Sequence, residues 1–176
     1  LGFAGGGGNF GIVTTFTYRL HQVGSIILGG MLIWRSDDAE SLLQFYHKYA
    51  AGVPEELTTM AAFMTAPAAP FIPPAMQGKP SVAVVGGYVG SIDDGKRIIT
   101  PLKEFSSPAI DLFTEMPYVA LQSMLDGMAP AGIRNYWKSD YFEALNDGII
   151  HTLIERFEEV PSPMTHIDTH DLGGAT

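Results

Sequence analysis

The chain has 176 residues, a formal net charge of −9, 46% hydrophobic and 16% charged residues, and no cysteine. That is enough for one domain with its own core and too apolar for disorder, and the acidic balance argues against nucleic acid or an anionic membrane surface as a partner. Disulfides, thiolate nucleophiles and cysteine-ligated metals are excluded, and no apolar run approaches the roughly 18 residues of a membrane span.

The first feature in chain order is Gly5-Gly6-Gly7-Gly8-Asn9-Phe10-Gly11-Ile12-Val13-Thr14. Consecutive glycines let a backbone approach a ligand more closely than any segment with side chains. Gly6-x-Gly8-x-x-Gly11 formally fits a dinucleotide fingerprint, but that fingerprint must open a helix and be followed by an acid about 20 residues on. Here Ile12–Arg19 is β-branched and aromatic and predicts a strand; the first acids are Asp37 and Asp38. No Gly-Lys-Ser/Thr follows, so a phosphate-binding P-loop is excluded as well.

Downstream the pattern is α+β. Ser25–Trp34 predicts a strand, with Gly29-Gly30 marking a bulge or a close approach. Ser36-Asp37-Asp38 predicts a helix start, an N-cap with acids in the first turn; Leu42, Leu43, Tyr46 and Tyr49 give it one buried face up to Gly52. Leu57–Thr65 predicts a strand, and Ala66–Pro80, with five prolines in fifteen residues, a loop or lid without regular structure. Ser81–Val89 is an apolar strand. Asp93-Asp94 opens a helix ending near Phe105; Ala109–Glu115 is a strand; Pro117 starts a helix reaching Met128. Asn135–Ser139 reads as a short strand, Phe142–Val160 as a helix stopped by Pro161 and Pro163, and Met164–Asp171 as the last strand. The sum is an antiparallel sheet with helices packed on one side.

Two constellations could carry chemistry. Tyr136, Lys138 and Asp140 alternate with Trp137 and Ser139 and would share one face of a strand; the plainer reading is an edge with Trp137 buried and Lys138 solvated. His166-x-Asp168-x-His170 places three polar groups on one strand face with Ile167 opposite. It reads as a metal site, a polar substrate pocket or a solvated face. Parallel side chains about 6–7 Å apart do not converge on a metal, whereas an aspartate beside a histidine in a dry pocket can act as a base. Met60, Met64, Met76, Met116, Met124 and Met128 read as packing. His21, His47 and His151 read as surface or capping residues, and Arg134 as a weak candidate for a carboxylate or polyol.

The glycine-rich run with Asn9-Phe10-Gly11-Ile12-Val13-Thr14, then Phe16, Arg19-Leu20-His21 and Val23-Gly24, resembles the end of the FAD-binding domain of the berberine-bridge-like flavin oxidases. These belong to the vanillyl-alcohol-oxidase (PCMH-type) group. Tyr136-Trp137-Lys138-Ser139-x-Tyr141-Phe142 and Asp171-Leu172-Gly173-Gly174-Ala175 extend the resemblance along nearly the whole chain. It implies that residues 1–24 end an FAD-binding domain and that residues 25–176 are a substrate-binding domain, together a piece of a longer enzyme. The pyrophosphate loop, the flavin-tethering residues and a returning tail would lie outside the piece. FAD is then the cofactor of the parent, expected not to stay bound to the piece alone. Gly6, Gly7, Gly8, Asn9, Phe10, Gly11, Ile12 and Val13 would line the cofactor. Tyr136 and Asp168 would be the candidate bases, and Lys138, His166 and His170 the substrate pocket. An alcohol or amine would pass a hydride to flavin N5 and oxygen would take the electrons, giving hydrogen peroxide. The partners are thus a small-molecule substrate, oxygen and the rest of the chain's own FAD domain, with no nucleic acid or membrane. Members often carry an arginine before the glycine run where this chain has Phe3-Ala4, so a contact made by that arginine does not transfer. Substrate, oligomeric state and compartment stay open. The alternatives are a non-catalytic α+β ligand-binding module and a metal-dependent hydrolase using His166, Asp168 and His170.

Overall fold

The computed structural model describes residues 11–171. Its elements are β1 (Ile26–Arg35), α1 (Ala39–Ala50), β2 (Leu57–Thr65), β3 (Pro80–Tyr88), α2 (Ile92–Glu104), β4 (Ile110–Asp111), β5 (Thr114–Pro117), α3 (Tyr118–Ser123), α4 (Asp147–Glu158) and β6 (Ile167–His170), with 3-10 turns at Ser36–Asp38 and Asp126–Met128. The strands form one sheet in the order β4-β1-β3-β2-β6, with β5 beside β4 along β1, and every pairing is antiparallel. β1, α1, β2 and β3 alone make a split β-α-β arrangement, with β3 inserted between β1 and β2.

Period-two alternation sorts each strand between two faces. Leu28, Leu32 and Trp34 of β1, Leu57, Ala61 and Phe63 of β2, and Val82, Val84 and Tyr88 of β3 join Leu42, Leu43 and Tyr46 of α1, Ile99 and Leu102 of α2, and Ile150 and Phe157 of α4 in the main core. The helices α1, α2 and α4 therefore cover one face, as the sequence predicts. On the opposite face Ile33 and Ala83 pack beneath Ala66, Ile72 and Met76 of the proline-rich segment. That segment has no regular element but is firmly seated. Its ends are tied by Ala66 N–H to Lys79 O (2.9 Å) and Gly78 N–H to Ala66 O (2.8 Å), and Gln77 donates to the carbonyls of Ala69 and Ile72. It is a compact loop with closed ends rather than a solvated one.

Several boundaries differ from the sequence reading. Ile12–Arg19 forms no strand: residues 11–20 are irregular and exposed, and none of the described strands offers them a ladder partner. Asn135–Ser139 is likewise irregular, exposed and unpaired with any described strand. The helix expected from Phe142 begins at Asp147, because the Asn146 side chain accepts from Ile149 N–H at 3.0 Å and caps it there. Leu145 just before the cap and Ile150 in the first turn share the core, the pairing of a hydrophobic staple. Ser36 starts a 3-10 turn without a side-chain cap, and α1 proper begins at Ala39. The helix from Pro117 runs only to Ser123 before a 3-10 turn at Asp126–Met128.

The strand expected over Ala109–Glu115 is broken in two. Asp111 folds its carboxylate back onto Phe113 N–H (2.9 Å), a local turn that competes with the ladder. Opposite the break, Gly30 has φ +145°, and a Cβ there would run into Leu112 O and stand 2.8 Å from Phe113 Cα. The Gly29-Gly30 close approach read from sequence is real, and it is made against this turn.

Candidate functional site

The sheet face opposite α1, α2 and α4 carries the candidate residues. Met60 pairs with His170 and Ala62 with Asp168 across β2 and β6. Paired residues of an antiparallel ladder project to the same side, so Asp168 and His170 share the face of Met60 and Ala62. Thr169 turns the other way, its hydroxyl donating to Ala61 O at 3.1 Å. The common face expected for His166, Asp168 and His170 is thus built by β6 and its approach, on the side of the sheet opposite α1, α2 and α4.

Register extends this face into rows. Met31, Val85, Met60 and His170 stand side by side from β1 to β6. The next row is Ile33, Ala83, Ala62 and Asp168, and the row on the other side starts Gly29, Gly87, Thr58. The Ile33 row runs under the proline-rich segment. The Gly29 row is capped by α3: Leu121 lies where a Cβ on Gly29 or Gly87 would be. Between these two covers the middle row forms a shallow furrow by its register alone, with Met31 packed against the proline-rich cluster. Met31 and Met60 are half-buried, Val85 is buried and His170 is exposed at its end.

At the β6 edge, His166 Nε2 lies 3.3 Å from Asp168 Oδ2, and the two side chains are only 19% and 22% exposed. The Asp168 Oδ1 is buried without a hydrogen-bond partner among the described residues. A buried carboxylate oxygen left unpaired costs on the order of 1–3 kcal/mol or more. The Trp137 ring meets His166 edge-on, centroids 5.8 Å apart and planes at 76°. The structure therefore brings the two constellations together, through Trp137 rather than through a shared strand. Tyr136 is 85% exposed, with Lys138 Nζ 5.9 Å from its ring centroid; neither lies on the sheet. Asp140 accepts only from the N–H of Tyr141 next to it, among the described residues.

Of the cofactor-lining candidates, Gly6, Gly7, Gly8, Asn9 and Phe10 lie outside the described residues. Gly11 has φ +149°, and Ile12 and Val13 are 94% and 50% exposed. Among the described residues no set of three histidines, aspartates or glutamates is disposed to hold a metal ion. His166, Asp168 and His170 share a face without converging.

Sequence reasoning set Met60 aside as packing and missed Met31, Val85 and the contact of Trp137 with His166. No local signal marks the first three: they meet only through strand register. A groove of about 470 Å³ lies between α2 and β5, but it opens on the face covered by α1, α2 and α4. Its charges are already matched, Lys96 with Glu115 (2.6 Å) and Lys103 with Asp111 (2.8 Å).

No family model matches the chain. It is 30% identical over 173 residues to an FAD-linked oxidoreductase of Dictyostelium discoideum, covering 97% of this chain and 35% of that protein. It is 23% identical over 173 residues to the uncharacterized FAD-linked oxidoreductase YgaK of Bacillus subtilis, covering 97% and 36%. The chain is similar to FAD-linked oxidoreductases. It spans about a third of the length of these relatives. Among solved structures it is similar to 6-hydroxy-D-nicotine oxidase from Arthrobacter nicotinovorans, with TM-score 0.48 and 17% identity over 65% of this chain and 24% of that one.

Proposed function

We propose that this chain is the substrate-facing part of an FAD-dependent oxidoreductase of the berberine-bridge-like type, oxidising an alcohol or amine with oxygen as acceptor. The observation that carries the reading is the joining of two features. Similarity to FAD-linked oxidoreductases runs over 97% of the chain, and the sheet face opposite α1, α2 and α4 carries a half-buried His166–Asp168 pair beside an apolar row of side chains.

When bound, FAD supplies the hydride-accepting chemistry. The chain supplies the rest. Gly11, Ile12 and Val13, with the glycines before them, would lie along the cofactor. The Met31–Val85–Met60 floor orients the substrate and keeps water from it. Asp168 holds the substrate hydroxyl or amine and takes its proton, as positioned general bases do. His166 keeps the carboxylate in place from its other oxygen. Tyr136 and Lys138 stand on the exposed segment that leads into Trp137, where they would meet the cofactor-bearing domain or the outer end of the substrate. Residues 1–24 would close that domain and residues 25–176 form the substrate domain, as the resemblance implies.

The test is made on the intact protein that carries this chain. Purified, it is expected to be yellow with one flavin per chain and to release hydrogen peroxide on turnover. A colourless intact protein with no flavin affinity would refute the reading. A non-catalytic binding module would instead bind ligands while carrying no flavin.

A further inference from the structure

We infer that the furrow selects a substrate with a flat or compact apolar body and one hydroxyl or amine at its end, and rejects polyols such as sugars. This deepens the oxidoreductase reading and rests on it. The inference comes from where polar atoms stand on the face. Along the middle row the side chains of Met31, Val85 and Met60 offer no strong donor or acceptor. The row on the proline-rich side adds Ile33, Ala83 and Ala62, and on the α3 side Gly29 and Gly87. Hydrogen-bonding side chains in these rows are Thr58, Asp168 and His170, with His166 beyond them, all at the β2–β6 side of the sheet. Four strands give the row three inter-strand spacings, about 14 Å in all, room for one or two rings.

A ligand on such a floor buries its body against thioethers and a valine, while its polar end reaches Asp168 and His170. A single donor there can engage the Asp168 carboxylate, whose side chain is 22% exposed. A sugar carries hydroxyls around its whole ring. Each one turned to the Met31–Val85–Met60 floor would lose water without gaining a partner, which costs binding free energy. Discrimination then comes from the floor and not from the base.

The experiment uses the intact flavoprotein with benzyl alcohol and cyclohexylmethanol on one side and glucose and cellobiose on the other. Anaerobic bleaching of the flavin band gives rates, and quenching of tryptophan fluorescence gives affinities. The ring alcohols are expected to be favoured at least about 100-fold. Met60→Gln should cut that preference about tenfold, whereas Met60→Leu keeps it; a merely structural role would not separate the two. Equal or better use of the sugars, or a preference untouched by both Met60→Gln and Met31→Gln, would overturn the inference. Should no compound bleach the flavin, the fluorescence arm still decides. Saturable binding of ring alcohols over sugars, weakened by Met60→Gln, supports the furrow; absence of binding overturns it.

Discussion

Asp168 and Ala62 face each other across β2 and β6, so the carboxylate stands over a methyl group in a row that continues through Ala83 and Ile33, both fully buried. One oxygen lies 3.3 Å from His166 Nε2 and the other has no partner among the described residues. An acid so placed has little water to compete with a ligand.

In the intact protein, Asp168→Asn is therefore expected to lower kcat by about 100-fold or more while the flavin stays bound, the usual scale for loss of a positioned base. His166→Ala should cost less, about tenfold, since it removes only the support of the carboxylate. Steady-state rates at matched flavin content check both. Unchanged turnover in Asp168→Asn would transfer the role of base to Tyr136.

Tyr46 of α1 and Thr59 of β2 share a buried hydroxyl contact of 3.0 Å. Burial, partly offset by that contact, pushes the Tyr46 hydroxyl from 10.0 up to about 12. In the unfolded chain the phenol ionises near 10, so between pH 10 and 12 the unfolded state sheds a proton that the native state keeps. Stability is then full below pH 10 and lost as pH rises through that window, by roughly 2–3 kcal/mol from this residue. Tyr46→Phe leaves Thr59 unpaired, at a cost of about 1–2 kcal/mol at neutral pH, and should flatten the alkaline loss. Denaturant midpoints across pH 8–12 measure both.

Gly30→Ala is expected to be the most damaging small substitution. The residue combines φ +145° with Leu112 O and Phe113 Cα standing where a Cβ would go, and both obstacles are backbone, which cannot swing aside. A loss of about 3 kcal/mol or more is expected, at the upper end for single substitutions, and denaturant unfolding measures it. Gly87→Ala meets chiefly the flexible tip of Leu121; it should cost less and release α3, read as faster amide exchange over Tyr118–Ser123.

Asn146→Ala removes the acceptor for Ile149 N–H and should cost about 1 kcal/mol. Asn146→Ser or Asn146→Asp should recover most of it. Thermal unfolding of the three variants separates a cap from a mere surface residue.

The alternation of the strands, the buried stripes of the helices and the α+β class were all legible in the chain before any coordinates, because they follow from local periodicity. So was the common face of His166, Asp168 and His170, since a period of two needs no knowledge of neighbours. Which face that was depended on folding: the pairing of Met60 with His170 and Ala62 with Asp168 puts Asp168 and His170 opposite α1, α2 and α4. Strand register likewise set Met31, Val85 and Met60 in one row, from positions up to 54 residues apart in the chain (85 − 31). Tyr136 to Ser139 shows the limit from the other side. Their alternation is that of a strand, yet no described strand pairs with them; a ladder needs hydrogen-bonding groups from two segments, and one segment's pattern supplies only half.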